Sequence, residues 1–198
     1  LAQMRILQDQ TIWLDIADRP VNLPFGIALN VAQERLFVLN AGSNDLSVID
    51  LNTGLALWNT QLPDNPRGIV LASDNSALYI NNALDTSLSI LETRFYSIED
   101  TIPTSALVPD LSLQLGAELF YSSTDSRVSG THYLSCASCH FDGASDGRNW
   151  YGVDTPVMDV IDEDALTSHL KQFTYGSGFD DASAFEKQSL ITYLQTLS

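Results

Sequence analysis

A 42-residue internal repeat, strand-like apolar runs within each unit and a switch to helical spacing after Pro103 predict a multidomain β plus α chain. The expected architecture is two β-propeller blades, a partial propeller within residues 1–108, followed by a small all-α domain over 109–198. Three pairs of segments carry the repeat. Pro24-Phe25-Gly26-Ile27-Ala28 returns as Pro66-Arg67-Gly68-Ile69-Val70, Phe37-Val38-Leu39-Asn40 as Tyr79-Ile80-Asn81-Asn82, and Leu46-Ser47-Val48-Ile49-Asp50 as Leu88-Ser89-Ile90-Leu91-Glu92.

Within each unit, short runs of Val, Ile, Leu and aromatic residues are bounded by turn clusters such as 41–45 and 72–76. Three or four strands in about 42 residues is the size of one blade. The lead-in Thr11 to Ile16 reads as the last strand of a preceding unit. A propeller closes with roughly four to eight blades, and an isolated pair leaves strand edges and faces uncovered. A further propeller segment or a partner subunit is therefore expected.

After Pro103 the apolar period lengthens. Leu111, Leu115, Leu119 and Phe120 share one face of a helix predicted over 111–121, with Asp110 as its N-cap. A short helix is expected over 166–173. A third is expected over 184–197, opened by a capping box of Ser183 and Glu186.

The chain has 198 residues, with 9 Lys and Arg against 25 Asp and Glu, for a net charge of −16. Both parts are acidic, with five basic and twelve acidic residues through 108 and four and thirteen after it. A nucleic-acid partner or an anionic membrane surface would need the opposite sign. No apolar run approaches the roughly 18 residues of a membrane span. The chain opens Leu1-Ala2-Gln3-Met4, without initiator Met or a basic-then-apolar leader. That start is expected of a chain whose signal peptide has been removed, or of a piece of a longer polypeptide.

The two cysteines lie three positions apart in Cys136-Ala137-Ser138-Cys139-His140. This C-x-x-C-H run is the attachment pattern for one covalently bound haem c. Thiols one helical turn apart reach the two vinyl groups on one edge of a porphyrin, and the next residue places an imidazole on the iron. The alternative is a zinc site built from the two thiols and two of His132, His140 and His169, although no second paired motif completes it.

The repeats resemble the YVTN-type β-propeller unit, with its P-x-G-[IV]-[AV] start, [YF]-[VI]-x-N middle and later [SV]-[VI]-[IL]-[DE] strand, over about residues 22–102. Gly116-Ala117-Glu118-Leu119-Phe120 and Leu190-Ile191-Thr192-Tyr193-Leu194 resemble the N- and C-terminal helices of class I cytochrome c. The resemblance implies a class I-like cytochrome c domain in which a glycine lets the two helices cross closely. A further likeness runs through Leu119-Phe120, Arg127 to Gly130, Ser135 to His140, Asp146-Gly147 and Asp154-Thr155-Pro156. It resembles the haem domain of the bacterial di-haem cytochrome c peroxidase and MauG group, particularly members fused to YVTN propellers. Those enzymes use two haems, whereas this chain has a single C-x-x-C-H.

The second axial position decides between carrier and catalyst, because a protein ligand there suits electron transfer and an open one admits peroxide. Candidates are His169, Met158, or an open position; the propeller-fused group favours a histidine at about the distance of His169. Arg127, Arg148 and Trp150 are near the haem motif in sequence, and either arginine can pair with a propionate. The expected function is single-electron transfer by an extracytoplasmic mono-haem c-type cytochrome with redox protein partners. The alternatives are a peroxidase-like or MauG-like subunit whose second haem lies elsewhere, and a haem relay in a larger assembly. Thioether attachment takes place outside the bacterial cytoplasm, which implies a periplasmic or extracellular location.

Overall fold

The computed structural model describes residue 14 and residues 19–105, 110–130, 132–144, 162–173 and 178–197. The expected lead-in strand at 11–16 falls almost wholly outside them.

Among the described residues eight strands form two antiparallel four-stranded sheets. The first holds β1 (Pro24–Asn30), β2 (Arg35–Asn40), β3 (Asp45–Asp50) and β4 (Ala56–Gln61), in sequence order. The second repeats that order with β5 (Pro66–Leu71), β6 (Ala77–Asn82), β7 (Ser87–Glu92) and β8 (Ile98–Pro103). Every strand of the second sheet starts 42 residues after its counterpart, so the repeat is one of structure as well as sequence. The reason for the recurring asparagine is visible. Asn40 and Asn82 are fully buried, and each amide donates across the following hairpin, Asn40 to Ser47 Oγ at 2.9 Å and Asn82 to Ser87 and Ser89 Oγ at 3.0 and 2.8 Å. A buried amide left without partners would oppose folding, so the hairpin hydroxyls and the asparagine come as a set.

The sheets pack face to face through Phe37, Leu39, Leu46 and Val48 of the first and Leu78, Ile80 and Leu91 of the second, all fully buried. β1 and β5 are neighbours at one end of this contact, where a side chain on Gly26 would come within 2.8 Å of the Arg67 carbonyl. The outward faces are different. Ile27 and Leu29 on one side, and Val70 and Tyr79 on the other, are 41–68% exposed.

Among the described residues four α-helices follow: α1 (Leu111–Tyr121), α2 (Cys136–Cys139), α3 (Glu163–Phe173) and α4 (Ala184–Thr196). α1 has its expected bounds, α4 ends one residue early, and α3 starts three residues before the expected Leu166 because Glu163 and Asp164 suit a helix's first turn. Asp110 caps α1 by accepting from the Ser112 and Leu113 amides, and Ser183 with Glu186 forms the capping box of α4. The helices bury a second cluster of Leu119, Phe120, Leu166, Leu170, Leu190 and Ile191, onto which Leu23 and Leu84 pack from the sheet side.

Candidate functional site

Helices α1 and α4 make the most extensive helix–helix contact among the described residues, and Gly116 sits in it. A Cβ there would overlap the Ser189 carbonyl and lie 2.6 Å from Tyr193 Cβ, so only glycine allows this approach. Phe120 and Tyr193 then meet with ring centroids 5.5 Å apart. The crossing forms the floor for α2. Ala137, inside the C-x-x-C turn, is fully buried in the same cluster, and Cys136 packs against it.

Cys136 and Cys139 are thiols rather than a disulfide. Burial pushes the Cys136 thiol up to about 12, so it is protonated at neutral pH. The His140 amide closes the turn by donating to the Cys136 carbonyl at 2.9 Å. On α3, the buried pair Leu166 and Leu170 anchors one face against the core and leaves His169 half-buried beside them. The outcome is a pair of imidazoles, His140 and His169, with ring centroids 6.1 Å apart and planes inclined by 60°. Burial, followed by the neighbouring His140, holds His169 below the usual histidine range, which leaves a neutral ring with a lone pair at neutral pH.

That separation can be checked against coordination geometry. With metal–imidazole bonds of about 2 Å and each ring centre about 1 Å behind its nitrogen, two imidazoles on one metal have centres about 6 Å apart. The residue types fit a haem c: two thiols three positions apart and the histidine that follows them would hold it, and His169, whose ring lies 6.1 Å from that of His140, is a second imidazole within reach. Among the described residues no group of three or more His, Cys, Asp or Glu side chains is placed to hold a metal ion.

The other sequence candidates divide. His132 Nδ1 lies 3.2 Å from the Ser123 carbonyl. Arg127 is engaged by two carboxylates: Nε donates to Asp125 at 2.9 Å and Nη1 pairs with Glu186. The guanidinium holds Asp125 low, while Glu186 is lowered to about 2, first by its Ser183 capping bonds and then by Arg127. Arg148, Trp150 and Met158 lie outside the described residues.

No protein-family model and no curated protein matches the chain. Three solved structures are similar to parts of it: hydrazine synthase from Kuenenia stuttgartiensis (20% identity, TM-score 0.40), AztD from Citrobacter koseri (17%, 0.36), and a protein of unknown function from Desulfotomaculum acetoxidans (17%, 0.37). They cover 41%, 44% and 44% of this chain. The matched part spans 23%, 25% and 29% of their own lengths, under a third in each case.

Contacts that the sequence did not signal join the sheets to the C-x-x-C-H segment. Phe141 stacks on Phe25 at 6.1 Å, and Asp142 pairs with Arg67 at 2.9 Å. The Arg67 guanidinium also lies over the Phe25 and Tyr121 rings at 4.7 and 4.8 Å. Phe25 and Arg67 occupy the same repeat position, the variable residue of Pro-x-Gly, so the one place where the two motifs differ most is where they meet the site. On the other side of the segment, Asn22 bonds to the turn that carries Cys136.

Proposed function

We propose that this chain is an extracytoplasmic mono-haem c-type cytochrome that passes single electrons, built as propeller blades over residues 1–108 and a class I-like cytochrome c domain over 109–198. The His169 ring at 6.1 Å from the His140 ring, with His140 directly after the free Cys136 and Cys139 thiols in the chain, carries the reading. A haem c held there supplies a one-electron ferric/ferrous couple. The chain's own part is to anchor both edges of the group. Cys136 and Cys139 would hold it by thioethers, His140 and His169 would supply its iron with nitrogen ligands, and the α1–α4 floor with Leu166 and Leu170 would shield one side from water. Two protein nitrogens on the iron would favour electron transfer over peroxide chemistry.

The net charge of −16 suits a redox partner with a basic face, drawn in by long-range attraction. The exposed apolar faces at Ile27 and Leu29 and at Val70 and Tyr79 support a further propeller segment or partner subunit beside these two sheets. Thioether attachment places the mature protein in the periplasm or outside the cell.

The test is mass spectrometry of the denatured protein together with absorption and EPR spectra of the ferric form. The expected result is one haem retained through denaturation and a low-spin signal without a far-red sulfur-to-iron band. That band would select Met158 instead. A high-spin spectrum with peroxide-dependent turnover would move the reading to the peroxidase-like alternative, and a bare-chain mass would remove the haem altogether.

A further inference from the structure

We infer that Asn22, more than a hundred residues away in sequence, is a positioning residue for the cysteine-bearing turn, acting through Ser135 and Ser138. The inference rests on the reading of Cys136, Cys139 and His140 as the residues that hold haem. A four-residue helix such as α2 cannot hold itself together, because helix nucleation is costly and few internal bonds reward it. Its shape therefore has to come from outside.

Asn22 supplies that support. Its side chain is buried, and each polar atom of its amide is engaged by this one turn: Nδ2 donates to the Tyr133 carbonyl at 2.8 Å and to Ser138 Oγ at 3.0 Å, and Oδ1 accepts from Ser135 Oγ at 3.0 Å. Ser138 Oγ accepts in turn from the Ser135 amide at 3.0 Å, which closes the turn around Cys136. Ser138 thus makes one of the two spacer positions of C-x-x-C part of the clamp.

The asparagine is itself held rigidly by the first sheet. Its amide donates to Ser43 Oγ at 3.1 Å, and its carbonyl accepts from the Gly42 amide at 3.1 Å. Any side chain at Gly42 would overlap Asn22 Oδ1, so the glycine is what leaves room for the amide. The next residue, Leu23, holds a φ of 56°, a left-handed conformation that its repeat counterpart Asn65 (φ 54°) tolerates more readily. Leu23 is kept there by the Ala41 amide, which donates to its carbonyl at 2.8 Å. A buried network with every member satisfied fixes one geometry, and here that geometry is the relative placement of two thiols and one imidazole.

The test compares the wild-type chain, exported and matured, with Asn22→Ala, Asn22→Asp and Ser138→Ala. In Asn22→Ala we expect haem per folded chain to fall about threefold and thiol alkylation of the apo-protein to run about threefold faster, because the turn opens more often. The low-spin EPR g-values of the haem that is retained should shift as the His140 ring reorients. Asn22→Asp keeps the acceptor for Ser135 and should lie between wild type and Asn22→Ala. If Asn22→Ala fails to fold, Ser138→Ala removes one hydroxyl from the same network and should move alkylation and g-values in the same direction. Wild-type haem content, alkylation rate and g-values in Asn22→Ala, or in Ser138→Ala where it has to stand in, would overturn the inference and leave the haem reading intact. A wild-type chain matured without haem would overturn that reading and the inference with it.

Discussion

His140 and His169 lie with their ring centroids 6.1 Å apart although 28 residues separate them along the chain. This pair keeps about the separation that one metal ion between two ring nitrogens requires. Aromatic rings packed directly on each other meet with centroids roughly 4.5–7 Å apart, so this tilted pair also has the spacing of an ordinary ring contact. Replacing His169 is the direct check. His169→Ala should convert the ferric protein from low to high spin and let added imidazole restore the low-spin spectrum. His169→Met should raise the midpoint potential on the order of 100 mV, part of the roughly 0.8 V range that axial ligands span. Spectra unchanged by either substitution would assign the axial position elsewhere.

Gly116 should be the least replaceable residue of the α1–α4 crossing. Gly116→Ala sets its new methyl against the Ser189 carbonyl and Tyr193 Cβ, backbone and near-backbone atoms that cannot rotate away. The helices must separate, with a loss of about 1–3 kcal/mol in urea unfolding. Gly68→Ala meets only Asn81 Cβ at 3.4 Å, an ordinary contact, and should lose far less.

Glu118 lies in a cleft of about 350 Å³ between α1 and the sheet loops, together with Asp64. Burial and then the neighbouring Asp64 and Asp85 raise its carboxyl above the usual range. A carboxyl raised by folding binds protons more readily in the folded chain, so its contribution to stability falls as pH climbs from the unfolded value of 4.5 through the folded one. Glu118→Gln keeps an acceptor for Gln114 and should stabilise the protein at pH 7 by less than about 1 kcal/mol, since solvent screens the group. The gain should vanish below pH 4.5 in thermal melts.

Glu186 has the opposite sign. Its capping bonds with Ser183, and then Arg127, lower it to about 2, so its contribution is complete above the unfolded value of 4.5 and is lost as pH falls toward 2. Glu186→Ala removes the side-chain half of the α4 capping box, the acceptor for the Ser183 amide, and one of the two carboxylates on Arg127, and should cost about 1 kcal/mol at pH 7. The difference from wild type should narrow in melts taken between pH 4.5 and 2.

The repeat and the helices were legible from local pattern. Strand alternation, the caps at Asp110 and Ser183, and the spacing of Leu111, Leu115 and Leu119 depend on neighbours within a few residues, and such preferences survive folding. The recurring Asn40 and Asn82 announced the repeat, but their purpose, tying a hairpin together through buried hydroxyls, appeared only in three dimensions. Arg127 was singled out by its proximity in sequence, yet Asp125 and Glu186 engage it from two and 59 residues away.

From residue order alone came two acidic parts, a strand repeat of fixed length, and thiols set one turn apart ahead of a histidine. Folding decided which distant groups serve that histidine. It brought the His169 ring within 6.1 Å of the His140 ring, laid Phe25 and Arg67 against one flank of the motif, and bonded Asn22 to the other. Such pairings carry no periodic signature, because they form where separate elements happen to touch once the core has packed. The chain's chemistry is written locally, and its geometry is assembled from afar.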